Sequence, residues 1–559
     1  MGRVMESFGE DALLSGLMGA AMIEGYQGSG NGTIAPDGVV ACLKHFAAYG
    51  APDAGRDYAS VDMSMKEFFG FYAKSYELAL KANPRMVMAS FNSLNGEPAT
   101  ASKWLLEEIL RGHFAFDDLL ISDWGAVSEL TNHGVAADDA AAGLLALEAG
   151  IEIEMVSNTF LKHGANLAEK SPELLEKIDH AVWKILELKN ELGLFEQPYA
   201  DSSVEADVVR SDELVSAAKT AAKKSCVLLK NDNEILPLSA ADPVLIIGPF
   251  AKTQALLGNW NCKGKRSETI SVENGFRQHA DRVFAYEFLD EVPEDVLVSA
   301  DSVLVTLGEA WDQSGEGHSS ANLELSSAQQ SLIFDLKALG KKVIGLGFAG
   351  RPLALGAVID DLDALLWTWY LGNEAGSAIA ELVLGLDSPT GRLPMSFPRV
   401  SSQVPLRYNE LRSGRPANDS TYSSRYQDLP IGPLFSFGHG LRYGQVSYEN
   451  IVVSSPVITD EQPISLSLTL TNLSEYDTAE SLLLFMEDPV SNLVRPVREL
   501  LDFKRIPLKK GEAKRVEFSV STDSLSYVEH QGEKRLENGE VRFYINDLIA
   551  VIGEIEVVK

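Results

Sequence analysis

Cysteine is scarce in this 559-residue chain: Cys42, Cys226 and Cys262 are the three present, and they are scattered. Such spacing offers neither a metal-binding pattern nor an even disulfide framework, so they read as buried or incidental thiols. Neither CxxC, HExxH nor GxxxxGK(S/T) occurs, which sets aside zinc proteases and P-loop NTPases. Basic residues are in deficit, 48 Lys and Arg against 80 Asp and Glu, for a net charge of −32. Phosphate recognition needs concentrated Lys and Arg, so nucleic acid and anionic membranes are excluded as partners. No apolar run reaches membrane-spanning length. Met1-Gly2-Arg3 runs straight into polar sequence without the pattern of a signal peptide.

What is there is ordinary for a globular protein, 45% hydrophobic and 23% charged, on a chain long enough for several cores. Residues 1–197 alternate short β-rich runs with helical periodicity. Strands are expected at Val39–Leu43, Met86–Ser90, Leu119–Ser122 and Ile151–Met155, with a helix at Lys103–Arg111 between two of them. Each strand leads into polar or small residues, as where loops at one face of a barrel build a site. Four such units are half of an eight-unit barrel. Residues 198–213 read as a linker, and 214–400 as a second α/β block with strands at Val244–Ile247, Val303–Leu307, Val343–Leu346 and Leu365–Trp369. Their continuous apolar character argues for a sheet covered on both faces. A helix is expected at Ser327–Leu339, with Gly340 as its stop. Residues 401–445 lack periodicity and read as a long ordered connection, whereas 446–559 alternate strictly, for example over Ile464–Thr471 and Arg515–Val520. That is the patterning of a β-sandwich.

Several constellations could carry chemistry. Ser122-Asp123-Trp124-Gly125 sets a carboxylate and an indole at a strand end, an arrangement suited to attack on a sugar ring. Alone it would equally serve as a helix cap or turn. Cys42-Leu43-Lys44-His45-Phe46 puts a cation and an imidazole at another strand end, able to grip neighbouring hydroxyls or simply to face solvent and core. Arg56-Asp57 follows in a Gly-rich loop. Glu309, after the strand Val303–Leu307, and Glu316, between two glycines, lie on a loop that can approach a partner surface closely. A carboxyl moved into a drier site would have its pKa raised and could protonate a leaving group; the alternative is a solvated surface loop. Gly345-Leu346-Gly347-Phe348-Ala349-Gly350 matches GxGxxG, but Arg351-Pro352 follows where a helix must start. No acidic residue ends a strand about twenty residues on. The run reads as packing, which leaves NAD-dependent oxidoreduction without support.

In order along the chain, these motifs resemble glycoside hydrolase family 3, of the bacterial β-glucosidase type. The resemblance runs through Glu6-Ser7-Phe8-Gly9-Glu10-Asp11, Lys44-His45-Phe46, Phe91-Asn92-Ser93-Leu94-Asn95-Gly96 and Ser122-Asp123-Trp124. It continues through Val227-Leu228-Leu229-Lys230-Asn231, Ile247-Gly248-Pro249, Gly308-Glu309 and Ser314-Gly315-Glu316. It ends in Gly391-Arg392-Leu393-Pro394-Met395-Ser396-Phe397-Pro398, Ser424-Arg425-Tyr426 and Phe437-Gly438-His439-Gly440-Leu441. The resemblance implies a (partial) TIM-type (β/α) barrel, an α/β sandwich domain and a C-terminal fibronectin type III-like domain. It also implies a retaining exo-β-glycosidase of carbohydrate metabolism that acts on β-linked oligosaccharides or glucosides and needs no metal or organic cofactor. By resemblance Asp123 is the nucleophile and Glu316 the acid/base, with Glu309 as its fallback. Arg3, Lys44, His45 and Arg56 match sugar-hydroxyl binders, and Trp124 a subsite wall. Retention asks for two carboxyls roughly 5–5.5 Å apart, which interdomain packing would have to supply.

The sequence departs from the family pattern in ways that bear on substrate preference. His318-Ser319-Ser320 stands where relatives carry an arginine near Ser320, His439 replaces a frequent tyrosine, and Phe91 lacks a hydroxyl. Asp53 and Asp57 lack the histidine that accompanies β-N-acetylhexosaminidase activity in this family. Family members also carry a long segment before the position matching Met1, which supplies the first barrel strands and a ring-binding aspartate. The expectation is therefore a shortened chain, a misassigned gene start, or one half completed by another polypeptide or a homodimer. On that ground the alternative function is a catalytically impaired carbohydrate-binding or interaction protein. Relatives are often periplasmic or secreted; a true start at Met1 would make the protein cytoplasmic.

Overall fold

Short aliphatic runs separated by polar loops and amphipathic helices fold here as parallel strands. The computed structural model describes residues 1–28, 33–455, 457–459, 463–530, 532–546 and 548–555. The chain forms two compact units: one comprises Asp11–Glu205 with Tyr527–Arg535, and the other Met1–Glu10, Ala206–Ser526 and Leu536–Lys559.

The unit built on Asp11–Glu205 carries four parallel strands, β1 (Cys42–Phe46), β2 (Met86–Ala89), β3 (Leu119–Trp124) and β4 (Ile153–Met155), in spatial order β1-β2-β3-β4. Phe46, Val87, Ala89 and Leu120 from these strands pack with Phe68, Leu105, Leu106 and Leu110 from the intervening helices. The helix Ala12–Gln27 starts where the Asp11 carboxylate accepts the Leu14 amide at 2.8 Å. β1 begins later than its apolar run suggests. The Val39 amide donates to the Tyr26 carbonyl at the end of that helix, so this stretch is extended but not in the sheet. The strand instead continues through Lys44 and His45 to Phe46. A small hairpin, Tyr527–Val528 with Lys534–Arg535, also belongs to this unit: Gly532 abuts the Phe69 ring and Lys534 pairs with Glu77 at 2.7 Å.

The other unit contains a six-stranded sheet. Its strands are β5 (Val227–Asn231), β6 (Val244–Ile247), β7 (Val283–Tyr286), β8 (Ser302–Gly308), β9 (Lys342–Phe348) and β10 (Ala364–Trp367), in spatial order β5-β10-β9-β8-β6-β7. All run parallel except β5 against β10. Separate cores cover its two faces, one around Ile246, Leu304 and Phe276, the other around Val305, Ile333 and Trp367, as fully apolar strands require. The helix Ser327–Ala338 precedes Gly340, whose φ of +72° ends it. The expected glycine run proves to be packing. A Cβ on Gly345 would meet Leu365 at 2.8 Å, and one on Gly347 would meet the Trp367 ring at 2.1 Å.

Towards the C-terminus, β11 (Val446–Val453), β13 (Ile464–Asn472) and β16 (Ala513–Val520) form one sheet. β12 (Val457–Ile458), β14 (Thr478–Glu487), β15 (Glu499–Leu508), β17 (Gly539–Ile545) and β18 (Leu548–Ile555) form the other, in order β12-β18-β17-β14-β15. Leu466, Leu468 and Phe518 of the first sheet bury against Leu482, Leu484 and Phe543 of the second.

Candidate active site

Two strand ends in the first unit bring together the side chains singled out in the sequence. β1 pairs regularly with β2 up to Leu43↔Val87, slips, and resumes at Phe46↔Ala89. β3 pairs with β4 at Ile121↔Ile153 and again at Trp124↔Met155, with a second irregularity between. Each break frees residues from the ladder and re-aims their side chains. Lys44-His45 occupies one and Ser122-Asp123 the other. His45 Nε2 lies 3.3 Å from Asp123 Oδ2.

Asp123 is 7% exposed. Its Oδ1 accepts the Trp124 amide at 2.7 Å, which fixes the carboxylate plane against its own backbone. Ser122 secures the strand end, its hydroxyl donating to the Asp123 carbonyl and accepting the Met155 amide at 3.0 Å. His45 is steadied by the Tyr49 ring edge-on at 5.3 Å, and the Tyr49 hydroxyl donates to Asp57 at 2.6 Å. Tyr76 donates to the His45 carbonyl. Electrostatics mark the same spot. Burial pushes the Cys42 thiol up to about 12, with Lys44 opposing and Asp123 reinforcing. Burial likewise raises the Glu129 carboxyl; His133 opposes this and Asp123 adds to it.

The other predicted residues of this unit are placed differently. Lys44 is exposed on β1. Trp124 is 63% exposed and presents its indole to solvent directly beside the buried carboxylate. Arg56 lies on the exposed loop and donates from Nε to the Asp53 carbonyl at 3.3 Å.

In the second unit Glu316 sits on a loop, 308–318, that leaves β8. Gly308 has a φ of +126°, and a Cβ there would strike the Phe348 carbonyl at 1.7 Å, so glycine is required. Gln329 grips this turn from both sides, accepting the Gly308 amide at 2.8 Å and donating to its carbonyl at 2.9 Å. Further along, the Asn259 side chain donates to the Ser314 carbonyl at 2.8 Å and the Gly315 amide donates to the Gly2 carbonyl at 2.9 Å. The Glu316 carboxylate, partly exposed, accepts Arg3 Nη1 at 3.1 Å. Arg3 is itself buried and also pairs with Glu6, which accepts the Trp260 indole N–H at 3.1 Å. Arg3, expected to face sugar, is thus found on the carboxyl of the expected acid.

Glu309, expected as the fallback acid, is engaged by an arginine. Both its oxygens accept Arg351, at 2.7 to 3.1 Å, and Tyr370 donates to its carbonyl at 2.8 Å. Burial first, and then the Glu309 charge, push the Tyr370 phenol up, so it stays a donor. Arg351 and Tyr370 were not visible as site residues in the sequence. Arg351 there serves only to break a glycine pattern, and Tyr370 is one aromatic in an apolar run. Among the described residues no group of three or more His, Cys, Asp or Glu side chains is arranged to hold a metal ion. No described helix is long and apolar enough to cross a membrane.

Comparison with known proteins adds to this geometry. The glycosyl hydrolase family 3 N terminal domain matches residues 1–188, the glycosyl hydrolase family 3 C-terminal domain residues 226–443, and a fibronectin type III-like domain residues 480–548. The periplasmic beta-glucosidase of Salmonella typhimurium is 33% identical over 97% of this chain and 76% of its own length. A beta-xylosidase of Formosa agariphila is 32% identical over 96% of this chain and 78% of its own. The crystal structure of a beta-glucosidase from Listeria innocua in complex with isofagomine superposes with a TM-score of 0.94 at 36% identity, covering 100% of this chain and 80% of that one.

Proposed function

The chain belongs to glycosyl hydrolase family 3, and from that premise we propose that it is a retaining exo-β-glycosidase of the β-glucosidase type. Its substrates are β-linked oligosaccharides or glucosides, from which it releases the terminal non-reducing β-D-glucosyl residue. Similarity that runs along 96–97% of the chain to proteins named as glycosidases supports an enzyme over an inert carbohydrate-binding protein.

Asp123 is the nucleophile in this reading. The observation that carries it is a buried carboxylate at a strand end, one oxygen held by the Trp124 amide and the other 3.3 Å from His45. A carboxylate so fixed loses little freedom on attack. One Asp123 oxygen bonds to the anomeric carbon as the bond to the leaving oxygen breaks. Glu316 gives that oxygen its proton, then takes one from water, and the water oxygen displaces Asp123 with restoration of the β configuration. His45 and Lys44, with Arg56, serve the ring hydroxyls as donors, while Arg3 holds the Glu316 carboxylate. The exposed indole of Trp124 offers an apolar face to the pyranose.

The test is turnover of an aryl β-glucoside by wild type and by Asp123→Ala. The variant is expected to lose at least about a thousandfold in kcat, and azide should restore activity as the α-glycosyl azide. Undiminished turnover in Asp123→Ala would overturn the assignment. A parallel kcat/KM series on aryl glucoside and aryl xyloside distinguishes the two substrate classes named among the relatives.

A further inference from the structure

We propose that Arg351 is the positioning residue of the acid/base loop, holding Glu316 in place by clamping the backbone on either side of it. The role rests on the assignment of Glu316 as acid/base made above. Arg351 is 3% exposed, and a buried guanidinium is tolerated only when its charge is balanced and its donors are used. Here one side of the fork goes to Glu309: Nε donates to Oε1 and Oε2 at 3.1 and 3.0 Å, and Nη2 to Oε1 at 2.7 Å. The rest goes to the loop itself. Nη2 donates to the Gln313 carbonyl at 2.7 Å and Nη1 to the His318 carbonyl at 2.9 Å. These two carbonyls bracket Glu316, and His318 Nδ1 lies 2.6 Å from the Glu316 carbonyl.

The loop needs such a clamp. Gly308, Gly315 and Gly317 all have positive φ and bring no side chains to hold the backbone around Glu316. A proton donor on a loop that wanders by about 1 Å loses much of its effect. Lysine cannot replace the arginine, because a single ammonium cannot hold a carboxylate and two carbonyls in one planar fork. Glu309 therefore acts as the counter-charge that anchors the clamp, and Tyr370, which donates to the Glu309 and Ala310 carbonyls at 2.8 and 2.9 Å, braces its other end.

A purely structural arginine and an acid-positioning one differ in a measurable way. A dinitrophenolate departs without a proton, whereas a phenol of high pKa or an alcohol requires one. The kcat/KM values of Arg351→Lys, Glu309→Gln and Glu316→Gln, which report the glycosylation step and not the shared hydrolysis of the glycosyl-enzyme, are compared with wild type across glycosides of rising leaving-group pKa. Arg351→Lys is expected to stay within about threefold of wild type on the dinitrophenyl substrate and to fall about tenfold to a hundredfold on the least activated one. Glu316→Gln should show the same slope more steeply. A steep Glu316→Gln profile with a flat Arg351→Lys profile, or a uniform loss across all leaving groups in Arg351→Lys, overturns the Arg351 role alone. A flat Glu316→Gln profile overturns the acid/base assignment and this proposal with it. Should Arg351→Lys fail to fold, Glu309→Gln, which removes the counter-charge and keeps the shape, must show the slope; a flat line there overturns the clamp.

Discussion

Glu480 is wholly buried, and the guanidinium groups of Arg392 and Arg442 both meet its carboxylate. Arg392 adds a donor to the Gly440 carbonyl at 2.8 Å. Burial, and then the Arg392 charge, press the Arg442 guanidinium down. Removing the one wholly buried anion leaves two partly buried cations facing each other, so Glu480→Gln is expected to cost about 3 kcal/mol of stability. Urea unfolding measures it, and a loss below about 1 kcal/mol would contradict this reading. Thiol reactivity offers a gentler test. The Cys42 thiol is held up to about 12 by burial, Cys226 is buried and raised further, and Cys262 is exposed. Iodoacetamide at pH 8 should label Cys262 alone in the native protein, because the thiolate is the nucleophile; peptide mass spectrometry reads the outcome. At this scale the sequence spoke unevenly. Asp123 and Glu316 stood out because each sits in a short motif after an apolar run. Arg351 and Glu480 did not, since their meaning comes from residues 42 and 88 positions away.

The central strands of the six-stranded sheet were legible because parallel strands buried on both faces read as uninterrupted apolar runs. Val244–Ile247 appears as expected. β5 and β7 escaped for a physical reason: Val227–Asn231 ends in polar residues at the antiparallel edge, and Val283–Tyr286 alternates in burial as an edge strand does. The start of β1 was misjudged because an extended segment bonded to a helix end looks, in one dimension, like a strand. Register breaks at Lys44-His45 and Ser122-Asp123 were invisible, though they are what aims both groups. The glycines of β9 illustrate the converse, a motif whose cause lies in the neighbouring strand. Gly347→Ala would set a methyl group into the Trp367 ring, 1% exposed. A loss of about 1–3 kcal/mol is expected, seen as a lower denaturation midpoint. An unchanged midpoint would show that the ring can yield.

Across the molecule, the residues joining the two units around positions 198–210 are exposed throughout. They fall within residues 198–213, whose polar composition predicts a linker. Proteases cut where backbone is exposed and weakly packed. Limited proteolysis should place its first cut between Gln197 and Arg210, and a first cut within the strands of the four-stranded or the six-stranded sheet would contradict the division. The net charge of −32 bears on solubility rather than on the reaction. The proposed reaction turns on one bond, from Asp123 to the sugar. A 2-deoxy-2-fluoro-β-glucosyl donor with a good leaving group forms the glycosyl-enzyme but hydrolyses it slowly, so the adduct can be digested and sequenced by mass spectrometry. One added fluoroglucosyl group per chain is expected, on the peptide containing Ser122-Asp123-Trp124 and on Asp123 itself. An adduct on any other carboxylate, or turnover of a natural substrate with inversion, would contradict it.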